Sequence, residues 1–129
     1  MRNKPFQDYG QVSEGNTDSR EKSLTIARLA DSKKAVDVVA LDMRKVSGLC
    51  DYFVICSGSS DKMLKAISDN IREFLKKQGI SPAHVEGEQE AKWILMDYGD
   101  VIVHIFHEEK RSFYNLERLW KDAKKLKLA

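Results

Sequence analysis

Trp93-Ile-Leu-Met-Asp-Tyr-Gly-Asp-Val-Ile-Val-His-Ile-Phe106 reads as two β-strands folded back on a Tyr98-Gly99 turn. β-branched and aromatic residues fill both arms, and a glycine between aspartates interrupts them, which is a hairpin pattern. On the first arm Trp93, Leu95 and Asp97 share one face, and Ile94, Met96 and Tyr98 the other, because strand side chains alternate. Both faces are therefore largely apolar, more than one helix layer need cover. A face left bare would offer an aromatic and aliphatic patch rimmed by Asp97 and Asp100, and such patches mark protein partners. Trp93 as plain core is the other reading that alternation permits.

Working outward, Asp51-Tyr-Phe-Val-Ile-Cys56 is nearly all apolar, as in a strand covered on both faces. Val36–Leu41 is a shorter β-branched run, and Arg44–Leu49 a loop. Between the strand pairs, Leu64, Ile67, Ile71, Phe74 and Leu75 recur at helical spacing. That helix is capped by Ser59 or Ser60 and stopped near Lys77 by Gly79. An earlier helix starts near Asp18 or Ser19, with Leu24, Ala27 and Leu29–Ala30 as its stripe. Ser81–Gly87 reads as loop. A last helix from Arg111 is expected to carry Phe113, Leu116, Leu119, Trp120 and Ala123 inward. The order α-β-β-α-β-β-α predicts an α/β fold: a mixed sheet of four to five strands with helices packed on it.

The 129 residues suit a single domain. Residues 1–18 are polar and aperiodic and read as a disordered tail, ahead of a domain spanning 19–129. A net charge of +2 does not point to a nucleic-acid binder. Seven basic and four acidic residues from Glu108 to Leu128 leave a mildly basic end, a solvated face or a peripheral contact with RNA. Cys50 and Cys56 are too few for a disulfide framework and read as reduced thiols. No apolar run approaches a membrane span. The expectation is a soluble, cytoplasmic protein with no membrane contact.

The signals for chemistry are weak. The Ser57-Gly-Ser-Ser60 turn before a helix can hold an anion, but a serine-capped turn is the plainer reading, and no phosphate-loop motif is present. Asp97 and Asp100 can hold a divalent ion, as in nucleotidyl transfer; aspartates beside Gly99 more commonly bond their own turn. His104 and His107, three apart on a strand, face opposite sides. Neither cysteine has zinc-like spacing. No catalytic residue, metal or cofactor is expected.

Three blocks together resemble the Iojap-related ribosomal silencing factors. They are Ala40-Leu-Asp-Met43 with Asp51-Tyr-Phe-Val-Ile-Cys-Ser-Gly58, the hairpin Trp93–Phe106, and Arg111-Ser-Phe-Tyr-Asn-Leu-Glu-Arg-Leu-Trp120, with Glu86-Gly87 also fitting. The resemblance spans roughly Leu24 to Ala123. It implies a nucleotidyltransferase-like fold without the catalytic acids, and a translation repressor rather than an enzyme. It implies binding to the large ribosomal subunit through ribosomal protein number fourteen (uL14), blocking subunit joining, and homodimerisation when free. An assembly role on the large subunit is the organellar variant. On this reading Trp93, Leu95, Asp97, Tyr98 and Asp100 contact the ribosomal protein, with His104 and Arg111–Tyr114 as second choices. The alternative is a nucleotidyltransferase-like enzyme using Asp97 and Asp100 with a divalent metal.

Overall fold

The computed structural model describes residues 18–128, excepting the side chains of residues 113 and 114. The tail expected over residues 1–18 thus lies, but for Asp18, outside the described residues. Four helices and six strands follow in chain order: α1 (Ser19–Ser32), β1 (Val36–Asp42), β2 (Tyr52–Gly58), α2 (Asp61–Lys77), β3 (His84–Glu86), β4 (Trp93–Asp97), β5 (Val101–His107), α3 (Glu108–Tyr114), α4 (Leu116–Leu119) and β6 (Lys124–Lys125). The strands form one sheet in the order β3-β4-β5-β2-β1-β6. Only β2 and β5 run parallel; every other pair is antiparallel. That central pair needs a crossover, and α2 with the β3–β4 segment supplies it.

The mixed sheet is as the sequence predicts, except that it has six strands rather than four to five. Each additional strand is an edge piece, three residues in β3 and two in β6, too short to leave a readable alternation. β2 is buried along its whole length, as its unbroken apolar run requires. In β1 the partners Val36↔Ser57 and Val39↔Ile55 enclose one extra residue, a bulge in which Asp37 takes φ 52°.

α1 begins at Asp18, whose carboxylate accepts from the Arg20 amide at 3.0 Å. Its buried surface is wider than the expected stripe and takes in Lys22, Ser23, Thr25 and Ile26, because it packs on α2 as well as on β1 and β2. α2 is capped by Ser60, which accepts from the Met63 amide at 3.1 Å. Leu64, Ile67, Ile71 and Leu75 are fully buried beneath it, each stabilising the fold by roughly 1.5–3 kcal/mol. Gly79 (φ 80°) ends it, and the Ile80 amide returns to the Leu75 carbonyl at 2.8 Å.

The single last helix expected from Arg111 is instead broken. Asn115 sits in the left-handed region at φ 38°, which asparagine tolerates, and its side chain accepts from the Arg118 amide at 3.2 Å to start α4. Leu116, Trp120 and Ala123 do pack inward, but Leu119 is 69% exposed. The Phe113 side chain lies outside the described residues.

Candidate protein-docking face

The two sheet faces are covered unequally. Ile94 and Met96 of β4, Val101, Val103 and Ile105 of β5, and Val54 and Cys56 of β2 lie fully buried in the cluster formed with α1 and α2. The opposite face carries three cross-strand rows: Asp97–Ile102–Phe53–Leu41, Leu95–His104–Ile55–Val39, and Trp93–Phe106–Ser57. Here Leu116, Trp120 and Ala123 supply partial cover, with Trp120 edge-on to Phe53 at 6.2 Å. Trp93, Leu95, Asp97 and Ile102 stay half-buried. Among the described residues the sheet is therefore barest at one corner, on the Trp93 face at its β4–β5 end.

His104 is the floor of this corner and only 5% exposed. Its Nδ1 accepts from the Trp93 indole Nε1–H at 3.1 Å, and the Phe53 ring meets it edge-on at 4.6 Å. Burial depresses its pKa to about 4, so the ring is neutral near pH 7 with its proton on Nε2. Nε2 has no hydrogen-bond partner among the described residues. The Trp93 ring also stacks on Phe106 at 5.0 Å, so the half-buried ring is held by contacts on the side facing the protein.

The remaining sequence-derived candidates separate. Tyr98 turns to the opposite face and joins the core beneath the helices; its hydroxyl is buried, and burial pushes its pKa up to about 12. It is core rather than a surface anchor, because the residue after Asp97 continues the alternation into the turn. Asp97 accepts from the Gly99 amide at 2.7 Å, fixing the turn. Asp100 holds the Lys22 ammonium at 2.8 Å, tying the turn to α1. Arg111 is a clasp: it forms two 3.0 Å bonds to the Glu117 carboxylate, and Nη1 donates to Ser57 Oγ at 2.8 Å. The Tyr114 side chain lies outside the described residues. Ile102 and Phe53 belong to the corner but were not among the expected contacts; the register of β5 against β4 and β2 brings them there.

The chemistry-bearing groups have structural occupations. Ser60 caps α2, and Ser57 is buried under Arg111. Burial raises the thiols of Cys50 and Cys56, to about 11 and about 12. Among the described residues no three His, Cys, Asp or Glu side chains group as a metal site, and no helix is long and apolar enough to cross a membrane.

Residues 16–129 match the family described as "Ribosomal silencing factor during starvation". The chain is 48% identical to a ribosomal silencing factor of Bacillus subtilis over 106 residues, covering 81% of this chain and 90% of that protein. It is 33% identical to the chloroplastic protein Iojap of Zea mays, covering 82% of this chain and 46% of the maize protein. A Bacillus halodurans crystal structure superposes with a TM-score of 0.72 at 42% identity, covering 81% of this chain and 96% of the other. A Chromobacterium violaceum structure reaches 0.78 at 28% identity, covering 88% and 93%.

Proposed function

This chain belongs to the ribosomal silencing factor family, and from that premise we propose that it docks the bare sheet corner onto ribosomal protein number fourteen of the large subunit. Bound there, it blocks the small subunit sterically and represses translation without catalysing a reaction. The observation that carries this reading is the half-buried Trp93–Leu95–Ile102 stripe beside Asp97, held over a buried His104. Large apolar residues kept rigid at a surface lose little conformational freedom on binding, which suits them as anchors. The acidic rim favours a basic partner and accelerates encounter more than it adds affinity. Exposed Lys121, Lys124, Lys125 and Lys127 on the β6 side supply the peripheral contact with ribosomal RNA.

A sucrose-gradient assay of subunit joining tests this function. Added protein should shift associated ribosomes towards free subunits, with the protein travelling on the large one. If joining proceeded unchanged at saturating protein, the reading would be wrong.

A further inference from the structure

Leu49 is 84% exposed, the most exposed large hydrophobic residue among those described. It sits on a loop that hydrogen bonds hold in place. The Met43 amide donates to the Asp51 carbonyl at 2.7 Å, the Asp51 amide to the Asp100 carbonyl at 2.8 Å, and the Leu49 amide to Ser47 Oγ at 3.1 Å. On either side of Leu49, Val46 and Cys50 pack into the cluster that also takes in Ile102 and Trp93. The loop is therefore an extension of the bare corner.

Leu49 also lines a cleft of about 320 Å³ with Arg44, Cys50, Asp51, Gly99 and Asp100. Arg44 is engaged with the Asp42 carboxylate at 2.8 Å, and Lys22 with Asp100 at 2.8 Å. Asp51 and Asp100 line this cleft, and Asp97 closes the adjoining turn on the Gly99 amide at 2.7 Å, which places three acids around this end of the face. Such a rim repels phosphate and attracts an ammonium or guanidinium group. Lysine and arginine carry an aliphatic stem that lies well on an exposed leucine.

We propose that the docking face continues from the sheet onto the loop at residues 43–51, where Leu49 receives the stem of a lysine or arginine of the partner protein and Asp51 its charged head. This rests on the reading of the bare corner as a ribosomal-protein contact and extends that contact past the sheet.

Binding to isolated large subunits tests it, with the wild type, Leu49→Ala, Leu49→Asp, Leu49→Met and Leu95→Asp compared by cosedimentation. Leu49→Ala should weaken binding by about tenfold, the loss expected for part of one buried aliphatic side chain. Leu49→Asp should weaken it further and Leu49→Met restore it, with thermal midpoints unchanged because the side chain is solvated in the free protein. Binding of Leu49→Ala at wild-type strength while Leu95→Asp fails would overturn the loop anchor and leave the sheet face standing. Failure of the wild type to bind would remove both. The same series on purified ribosomal protein number fourteen, without RNA, should show the same ranking. A Leu49 effect confined to whole subunits would assign the contact to RNA and overturn the proposal.

Discussion

The indole Nε1–H of Trp93 donates to Nδ1 of His104 across the β4–β5 pair at 3.1 Å. This bond fixes two things together: the attitude of a half-buried indole ring, and the tautomer of the histidine beneath it. Because Nδ1 accepts and Nε2 already carries the proton, a second proton can only land on Nδ1, where it breaks the bond and charges a buried group.

Acid stability should reflect this. The folded His104 pKa is depressed to about 4 from 6.5, so the unfolded chain binds a proton that the folded one refuses between those values. His104 therefore contributes stability fully above pH 6.5 that is lost as pH falls towards 4, about 3 kcal/mol in all. Urea unfolding at stepped pH should show this slope in the wild type. His104→Asn should flatten it, and an equal slope in that variant would mean other groups titrate in its place.

Reversing Asp97 to lysine together with Trp93→Ala should abolish cosedimentation with isolated large subunits. Trp93 stacks on Phe106 at 5.0 Å, so the double variant must first be shown folded by far-UV circular dichroism. Leu95→Asp, at a half-buried site of the same face, gives a second route to the same loss. Persistent binding by both folded variants would place the contact elsewhere.

Asp100 is the wrong acid to reverse, since it neutralises Lys22, whose side chain is only 9% exposed. Asp100→Ala should destabilise the fold by about 2 kcal/mol, less than a fully buried pair costs because water reaches the carboxylate. Chemical denaturation measures this directly. A neutral result would show that Lys22 finds another partner.

The Arg111 clasp should resist conservative change. Its fork meets both Glu117 oxygens at 3.0 Å while Nη1 reaches Ser57, and a lysine cannot make that set. Both Arg111→Ala and Arg111→Lys should cost roughly 2–4 kcal/mol and weaken the near-UV signal of Trp120, which follows the clasped Glu117 in the chain and packs edge-on to Phe53. Full stability in the lysine variant would reduce the clasp to a single charge contact.

Gly87→Ala should be among the most damaging small changes. Gly87 has φ +84°, and an added Cβ would stand 2.0 Å from the Trp93 carbonyl oxygen. Neither backbone can yield without parting β3 from β4, so a loss of about 3 kcal/mol or more is expected. Thermal unfolding tests it, and a shift of only a degree or two would show that this turn relaxes freely.

Much of the architecture was legible in the sequence because strong periodicity carries it. The unbroken run at Tyr52–Cys56 and the 3.6-residue rhythm of Leu64, Ile67, Ile71 and Leu75 each allow few structures. β3 and β6 were illegible because two or three residues carry no period. The break at Asn115 was missed for a related reason: a single left-handed residue interrupts a helix without disturbing its apolar spacing.

For the site, alternation by itself determined that Trp93, Leu95 and Asp97 share a face, and that Ile94 and Met96 share the other. Which face stays bare was decided only by tertiary packing. α1 and α2 settle over Ile94 and Met96, while the C-terminal segment covers the opposite face only in part. Strand parity is a local property of the backbone, whereas cover depends on where distant elements pack. Tyr98 and Asp100 show the difference: adjacent to the patch in sequence, one is drawn into the core and the other into an ion pair with a helix 78 positions earlier.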